Sequence, residues 1–331
     1  MDSSPVTLVL SDLYKTILPD LERVETVLRE IGRNPNTLIA EINSYLFQVA
    51  GKRVRPALLL LSGRLFGRPS EDAPFWAAMI EVIHTASLIH DDIVDNSERR
   101  RGRETVHAKW GPNITVLLGD FLYIKSIVLS LKKRQYRLID ILADVTSEMI
   151  EGELIESSWS RNPKIPESVY LDILDKKTAS LFAGACRIGG VLGGAPPEAE
   201  AGLERFGRSL GMCFQIIDDW LDYFGDEAAL GKPVLSDVRE GRITLPLLLA
   251  LSRSDDGGRG DLIGLIGKRG PKGRGVRRLL DIVRSRNALD DTLNRARIYA
   301  AGAKAALDGL PDSESRFALL ALTDLLLQRK T

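Results

Sequence analysis

The chain has 331 residues, 45 basic and 45 acidic side chains, and two cysteines. The balanced charge gives no sign of a protein held on nucleic acid or on an anionic membrane, so a charged ligand has to be met by local clusters. Two isolated thiols, Cys186 and Cys213, form neither a disulfide framework nor a zinc site, which leads us to expect a reducing, cytoplasmic location. No apolar run reaches the roughly 18 residues that span a bilayer, and the N-terminus lacks the basic start of a secretory signal, so we expect no transmembrane segment.

The spacing of apolar residues predicts an all-α fold. Apolar residues recur every three or four positions, whereas strand-like alternation is scarce. We find no internal repeat and expect one domain over 1–331, with a motif-bearing core at about 35–250 and C-terminal helices at about 276–329. Charged loops are predicted at 97–111, 226–242 and 254–275. The predicted helices cover 35–50, 55–67, 72–96, 112–131, 136–158, 167–193, 197–224, 243–252, 276–307 and 313–329.

Basic residues cluster at a few places along these elements. The segment Gly51-Lys52-Arg53-Val54-Arg55-Pro56 joins the first two predicted helices. Arginine presents a planar fork to phosphate and lysine a point charge, so such residues are candidate clamps for a diphosphate. Taken singly, each also fits a solvated surface charge. The other candidates are Arg99, Arg100, Arg101, Lys177, Lys232 and Arg242.

The helix predicted at 72–96 ends in three carboxylates. Asp91 and Asp95 are one turn apart, and His84 and Ser87 precede them on the same face. Asp92 adds a third carboxylate at a helix C-terminus, where the macrodipole is already negative. A bound divalent cation would let all three ionise, and hard oxygen ligands point to Mg²⁺ rather than zinc. The alternative interpretation is a solvated acidic helix end.

A second copy of the same spacing favours the metal interpretation. Asp218, Asp219 and Asp222 repeat it near the end of the helix predicted at 197–224, and Gln215 lies one turn earlier. Two such helices can face one another across a bundle, as in other carboxylate metal sites.

The order of these motifs resembles the trans-isoprenyl diphosphate synthase (polyprenyl synthetase) family from about residue 35 to the C-terminus. The resemblance implies an isoprenoid-synthase helical bundle around a deep central cavity, usually as a homodimer. It also implies an enzyme that extends an allylic diphosphate with isopentenyl diphosphate. The matching motifs are GKRVRP at 51–56, IHTASLIHDDIVD at 83–95, RRG at 100–102, GDFLY at 119–123, GEL at 152–154, KTASLF at 177–182, FQIIDDWLD at 214–222, GKP at 231–233 and EGRITLPL at 240–247.

The resemblance further implies a role for each matching residue. The implied Mg²⁺ ligands are Asp91, Asp92 and Asp95, then Asp218, Asp219 and Asp222, with Asp218 the surest of the second group. The positions that hold isopentenyl diphosphate are Lys52, Arg55, His84 and Arg101. Those that hold or stabilise the allylic substrate are Arg100, Lys177, Thr178, Gln215 and Lys232, with Arg242 as a less secure ligand.

Some positions depart from the family pattern. The family often has a glycine at the positions of Ala50 and Ser236, a lysine at that of Arg242 and a glutamine at that of Glu156. None of these departures touches an aspartate, so the resemblance still implies the activity.

Three other functions compete with the extension of a long chain. A terpene cyclase also begins with metal-assisted ionisation, but it needs no clamp such as Lys52, Arg55 and Arg101 for a second substrate. A non-catalytic partner subunit could lose its aspartates without consequence, whereas this chain keeps all six. A farnesyl or geranylgeranyl diphosphate synthase is the third alternative.

Small residues before the first aspartate motif predict a long product. In the family the growing tail descends along this helix, and bulky aromatic residues at the fifth and fourth positions before the motif close the pocket. Here those positions hold Ala86 and Ser87. We therefore expect a pocket that continues past Ile83 toward Phe121 and Leu122, and a product longer than geranylgeranyl. Small residues here would also fit simple close packing of helices.

Overall fold

The structure is a computed structural model that describes residues 10–48, 51–67, 70–100, 102–224, 234–267 and 270–328. The predicted all-α fold is confirmed. Within those ranges the strands are limited to a two-residue antiparallel hairpin, β1 (Arg99–Arg100) and β2 (Arg103–Glu104). This hairpin and a short helix at Val106–Trp110 lie in the segment 97–111, which was predicted as a loop.

The chain begins with helices that the sequence pattern did not predict. The helices α1 and α2 and a 3-10 turn at Lys15–Ile17 precede residue 35. The helices predicted at 35–50, 55–67 and 72–96 are confirmed with small shifts of their ends. Asn36 caps α3 by accepting a hydrogen bond from the Ile39 amide at 3.2 Å. The helices of this part are α1 (Leu10–Leu13), α2 (Leu18–Gly32), α3 (Thr37–Phe47), α4 (Val54–Arg64) and α5 (Ala73–Val94).

The middle of the chain contains the longest helices. The run predicted at 167–193 is helical throughout but contains a π-helical segment, Asp175–Ala179, between two α-helices. π-helical segments are frequently found at functional sites. The helices here are α6 (Val106–Trp110), α7 (Pro112–Lys132), α8 (Tyr136–Trp159), α9 (Glu167–Leu174), α10 (Ser180–Leu192) and α11 (Pro197–Phe224).

Three predictions were wrong in the last third of the chain. The loop predicted at 226–242 contains a short helix at Ser236–Glu240. The helix predicted at 276–307 is two helices, because Asn287 between them is left-handed with a φ of 54°. The loop predicted at 254–275 contains a helix, which Asp255 caps by accepting from the Gly258 amide at 2.8 Å. The helices are α12 (Ser236–Glu240), α13 (Leu245–Ser252), α14 (Asp256–Ile266), α15 (Arg274–Ser285), α16 (Ala288–Ala306) and α17 (Glu314–Leu327).

The described residues group into two compact units. Unit 1 consists of Met1–Thr146, Leu181–Gly207 and Ala306–Leu325, and unit 2 consists of Ser147–Ser180, Arg208–Ala305 and Leu326–Thr331. The first aspartate motif belongs to unit 1 and the second to unit 2. That the whole chain acts as one domain stays a prediction.

Helix α5 is the centre of unit 1. It packs against α2, α4 and α7, and its residues Trp76 and Met79 are fully buried. Helices α4 and α10 approach one another at Gly189, where a Cβ would stand 2.2 Å from the Leu59 carbonyl oxygen. Such tight packing of helix backbones requires glycine. The first aspartate motif therefore ends a helix that is fixed on several sides.

Helix α7 is long and apolar enough, by length and composition alone, to cross a membrane. It packs against α5 in unit 1, and Leu118, Leu122, Ser126 and Ser130 on it are buried. A helix of a globular core passes the same test, so this feature is weak evidence for a membrane span.

Unit 2 has its own hydrophobic core. The second half of α11 contributes Ile216, Ile217 and Leu221 to it, and α9 contributes Tyr170 and Ile173. The period of 3.6 residues puts these apolar side chains on one side of α11. Asp218 and Asp219 lie between them in sequence, and Asp222 directly follows Leu221.

Candidate active site

The first aspartate motif has two accessible carboxylates and one buried carboxylate. Asp91 and Asp95 are partly exposed near the end of α5. Asp92 is buried and accepts a 2.7 Å hydrogen bond from Nε of Arg100 on β1. Burial raises the pKa of Asp92 above its ordinary value, an effect that the positive charge of Arg100 partly offsets. The hairpin thus holds one aspartate of the motif, while the two partly exposed aspartates lie one helical turn apart.

Two residues of the predicted isopentenyl diphosphate site are in contact. Nη1 of Arg55 lies 3.0 Å from Nε2 of His84, and the guanidinium carbon of Arg55 lies 4.7 Å from the centre of the Phe182 ring. Because a guanidinium has no acceptor, Nε2 of His84 accepts this bond and the ring proton is on Nδ1. An imidazole in this state can donate to an anion, as predicted for His84. Lys52 is exposed, and its carbonyl accepts from the Tyr14 hydroxyl at 3.2 Å.

The predicted chain-length residues lie on two helices that pack together. Ala86, Ile83 and Leu122 are fully buried, while Phe121 and Ser87 are partly buried. The Ser87 hydroxyl donates to the His84 carbonyl at 2.8 Å, so it is bonded within its own helix. The face of α5 before the motif therefore carries only small side chains at 86 and 87.

The first two aspartates of the second motif are divided like those of the first motif. Asp218 is partly exposed, and Asp219 is buried. Asp219 accepts from the Tyr170 hydroxyl at 2.7 Å and from Nε2 of Gln215 at 2.9 Å. Burial, and then the negative charge of Asp237, raise the pKa of Asp219 well above its ordinary value, although the two hydrogen bonds oppose this.

The third aspartate of this motif fastens the chain that follows it. Asp222 is fully buried. Its Oδ1 accepts from the amide and the hydroxyl of Ser236 at 3.2 and 2.6 Å, and its Oδ2 accepts from the Asp237 amide at 3.1 Å. The carboxylate lies at the start of α12, and the hydroxyl of Ser236 supplies a bond that a glycine there could not.

The π-helical segment presents Lys177 and Thr178. Nζ of Lys177 lies 2.5 Å from a carboxylate oxygen of Glu153 and 2.5 Å from one of Glu156. The departure from the family pattern at Glu156 thus gives this lysine an ion pair. The Thr178 hydroxyl donates to Oε1 of Gln215 at 3.0 Å, which joins the predicted allylic residues to the second motif. Gly152 allows α8 to approach, since a Cβ there would lie 2.5 Å from the Lys177 amide nitrogen.

The remaining predicted ligands are Arg242, Arg101 and Lys232. Arg242 contacts the carboxylates of Asp237, at 2.8 Å, and Glu240. Its charge is thus shared by two acids of its own unit. Arg101 and Lys232 lie outside the described residues.

Some residues with clear roles around the site escaped the sequence patterns. Tyr170 holds Asp219, Glu153 contacts Lys177, and Arg53 is bonded to Glu25 and Glu81. Glu153 belongs to the GEL motif and Glu81 precedes His84 by one turn, so their spacing was a usable signal. Nothing in the sequence around Tyr170 or Glu25 indicates their partners.

The donor set fits a hard divalent cation that shares its coordination with substrate. In the part of the chain that the structure describes, no three histidine, cysteine, aspartate or glutamate side chains converge as a metal site. The accessible donors are carboxylate oxygens, Asp91 and Asp95 in unit 1 and Asp218 in unit 2. Mg²⁺ usually takes one or two carboxylates and completes its shell with waters and substrate phosphates. The incomplete protein ligand set is therefore consistent with this ion.

Comparisons with known proteins agree with these motifs. The octaprenyl diphosphate synthase of Haemophilus influenzae is 35% identical over 321 residues, 97% of each chain. A short chain isoprenyl diphosphate synthase of Methanothermobacter thermautotrophicus is 36% identical over 313 residues, 93% of this chain and 95% of the relative. A crystal structure of a Caulobacter crescentus polyprenyl synthase, complexed with calcium and isoprenyl diphosphate, matches with a TM-score of 0.92, 35% identity and 98% coverage of each chain. The polyprenyl synthetase family model matches residues 36–283, and with both aspartate motifs inside that range the chain belongs to this family.

Proposed function

We propose that this enzyme is a Mg²⁺-dependent prenyltransferase that couples isopentenyl diphosphate to an allylic diphosphate. The product is an all-trans polyprenyl diphosphate longer than geranylgeranyl, and diphosphate is released. One observation carries the proposal. In each of the two motifs the first aspartate is partly exposed, while the second is buried in a hydrogen bond to the protein. This division places a partly exposed carboxylate next to one that is bonded to the protein, and the bonded one fixes the helix end that presents both.

Asp91 and Asp95 in one motif and Asp218 in the other are the proposed principal ligands of Mg²⁺. Bound Mg²⁺ would supply Lewis-acid stabilisation of the departing diphosphate. Asp92, Asp219 and Asp222 already accept hydrogen bonds from the protein. We propose that these three add negative charge to the motifs and fix their geometry. They would bind metal directly only where those hydrogen bonds break.

Arg55, His84 and Lys52 are the proposed ligands of isopentenyl diphosphate, together with Arg101. The contact between Arg55 and His84 orients a guanidinium and a ring N–H that both donate. Two donors and the exposed ammonium of Lys52 suit an anion with several oxygens. Their positive charge also stabilises the homoallylic diphosphate throughout the reaction, because that group does not leave.

Lys177, Thr178 and Gln215 are the proposed residues of the allylic side, with Arg100, Lys232 and Arg242. During the reaction the allylic C–O bond breaks, the double bond of isopentenyl diphosphate forms the new C–C bond, and a proton is lost to the released diphosphate. Lys177 adds positive charge where negative charge accumulates. The oxygens of Thr178 and Gln215 offer dipoles to the allylic cation.

The length of the product is supported by the helix face and by the relatives. Ala86 and Ser87 are small residues at the fifth and fourth positions before the first motif on α5. The Haemophilus relative is an octaprenyl diphosphate synthase, whereas the Methanothermobacter relative of similar identity is a short chain enzyme. Similarity alone therefore leaves a farnesyl or geranylgeranyl product as the alternative. Incubating the purified protein with isopentenyl diphosphate, farnesyl diphosphate and Mg²⁺, followed by mass spectrometry of the dephosphorylated products, tests the proposal. A main product of 20 carbons or fewer would refute it.

A homodimer is the proposed assembly, and an exposed stripe on α7 supports it. Leu117, Ile124 and Leu131 are 68%, 65% and 48% exposed and recur every seven residues, with Val128 between the last two. Such spacing is typical of a helix that packs lengthwise against a partner helix, and a second copy offers the same stripe. Analytical ultracentrifugation of Ile124→Glu should show a monomer, and an unchanged dimer would refute this face.

The proposed location is the cytoplasm. Cys186 and Cys213 are both buried and unbridged, as suits a reducing compartment. Burial raises the pKa of each thiol to about 12, which keeps it in the unreactive protonated form. Fractionation of cells that express the tagged protein tests this assignment.

A further inference from the structure

The basic loop that carries Lys52 and Arg55 adopts a strained conformation at Arg53. This arginine, at the start of α4, has a φ of 51° and a ψ of 36°, in the left-handed region. Residues other than glycine rarely adopt this conformation, and they keep it only where surrounding contacts impose it. The contacts of Arg53 should therefore explain why the loop takes this path.

Two glutamates hold the Arg53 side chain. Its Nε and Nη2 lie 2.5 and 3.1 Å from the two carboxylate oxygens of Glu25 on α2, and its Nη1 lies 2.6 Å from Glu81 on α5. The Arg53 and Glu81 side chains are only 11% and 9% exposed. Burial would lower the pKa of Arg53, but the hydrogen bonds to Glu25 and the charge of Glu81 raise it instead. With its donors directed at two carboxylates, Arg53 is committed to the protein.

Helix α5, which carries Glu81, also contacts Arg55. Glu81 and His84 are three residues apart on α5, and they contact Arg53 and Arg55, which are two residues apart in the loop. The loop is thus fastened to one face of α5 at two successive points. A change in the position of Arg53 must move Arg55 relative to His84.

The N-terminal helices complete the support. Tyr14 donates to the carbonyl of Lys52, and Glu25 on α2 receives the Arg53 fork. Both residues precede position 36, where the match to the family begins. The loop is therefore held in place by a part of the chain that carries none of the family motifs.

We propose that Arg53, held by Glu25 and Glu81, is a positioning residue that sets Lys52 and Arg55 for the homoallylic diphosphate. This inference rests on the proposed roles of Lys52 and Arg55. It makes α2 a determinant of substrate affinity although none of its residues touches substrate. The three basic residues of the loop accordingly have different tasks: two bind substrate and one shapes the loop.

The test compares conservative substitutions by steady-state kinetics with each substrate varied in turn. Arg53→Lys keeps the charge but cannot bridge both glutamates, and we expect the KM for isopentenyl diphosphate to rise about tenfold. The KM for the allylic diphosphate should stay within about twofold, since the allylic residues are elsewhere in the sequence. Glu25→Gln is a milder variant, because glutamine keeps an oxygen that can accept one of the two hydrogen bonds from Arg53. The side chain at position 25 is also partly exposed. It should give a smaller rise in the same KM.

Arg64→Lys is the matched control. Arg64 also joins α4 to α2, through a 2.8 Å ion pair with Asp20, but it lies eleven residues further on, roughly 15 Å along the helix. Its substitution should lower the melting temperature without raising the KM for isopentenyl diphosphate. A similar KM for Arg53→Lys, Glu25→Gln and the unmodified protein would overturn the positioning role. Equal KM increases in Arg53→Lys and Arg64→Lys would overturn it too, since the effect would then be one of stability.

One further variant separates this inference from the proposed function. If Arg55→Ala leaves the KM for isopentenyl diphosphate unchanged, the assignment of the substrate site itself fails. If Arg55→Ala raises that KM but Arg53→Lys does not, only the positioning role fails. Should Arg53→Lys not fold, Glu25→Gln decides the question, with circular dichroism to confirm its helical content.

Discussion

Replacing Glu156 by glutamine should strengthen the binding of the allylic diphosphate. Nζ of Lys177 lies 2.5 Å from both Glu153 and Glu156, so one positive charge faces two negative charges. A diphosphate that approaches this ammonium meets a site with a net charge of −1. Glu156→Gln brings the site to zero while keeping the size of the side chain. The residue introduced is also the one that the family often carries there.

The magnitude follows from the geometry. If the diphosphate contacts the Lys177 ammonium on the side opposite Glu156, the ammonium lies between a diphosphate oxygen and a carboxylate oxygen. Its two hydrogen bonds then put these oxygens about 6 Å apart. For side chains that are about one-fifth exposed, an effective dielectric constant between about 20 and the bulk-water value of about 80 gives a repulsion of about 0.7 to 3 kcal/mol per unit of diphosphate charge. The lower limit, about 1.4 kcal/mol for two units of charge, already corresponds to a fall of about tenfold in the KM for the allylic substrate. The product also carries a diphosphate, so its release should slow.

The assay is steady-state kinetics with farnesyl diphosphate varied at saturating isopentenyl diphosphate, together with a measurement of the burst of product in the first turnover. Glu151→Gln is the control: Glu151 lies on the same helix and pairs at 2.8 Å with the neighbouring Lys176, which has no proposed role. This control should leave the KM unchanged. A KM for Glu156→Gln that stays the same or rises would refute the electrostatic argument.

Three further predictions concern metal, chain length and stability. Asp91→Ala and Asp218→Ala should each lower kcat by about two or more orders of magnitude with circular dichroism unchanged, and a chelator should abolish turnover; full activity in either variant would contradict the metal assignment. Ala86→Phe should shorten the main product to about the farnesyl or geranylgeranyl level with catalysis retained, as read by mass spectrometry, and an unaltered product distribution would show that this face of α5 does not measure the chain. Asp222→Ala should lower the free energy of unfolding by about 3 to 5 kcal/mol in urea titrations, since three donors lose their acceptor, whereas Ser236→Gly should cost only about 1 kcal/mol; equal effects would disprove the role of the carboxylate.

The family, the all-α fold and a prenyl-transferring enzyme are confirmed, and they were predictable because they depend on periodicity and on residue types at fixed spacing. Helix α14 was missed because four glycines, at 257, 258, 260 and 264, argue against a helix. Burial of Leu262 and Ile266 in unit 2 outweighs that propensity. The break at Asn287 was missed because neither glycine nor proline marks it.

The sequence also did not reveal which aspartates of each motif are buried. Spacing identifies three carboxylates but does not indicate which of them are buried. Asp92 is distinguished by Arg100, eight residues away, and Asp219 by Tyr170, which is 49 residues away. Such pairings depend on tertiary contacts, which a single sequence does not reveal.

The bonds of Asp222 join the end of α11 to the start of α12. Besides the contacts of its carboxylate, the Asp222 carbonyl accepts from the Leu235 amide at 2.9 Å, so both the backbone and the side chain of this aspartate hold the start of α12. The two helix ends therefore keep their relative position through local bonds of their own. A variant in which residues 225–233 are exchanged for those of a relative is accordingly expected to keep α11 and α12 in place.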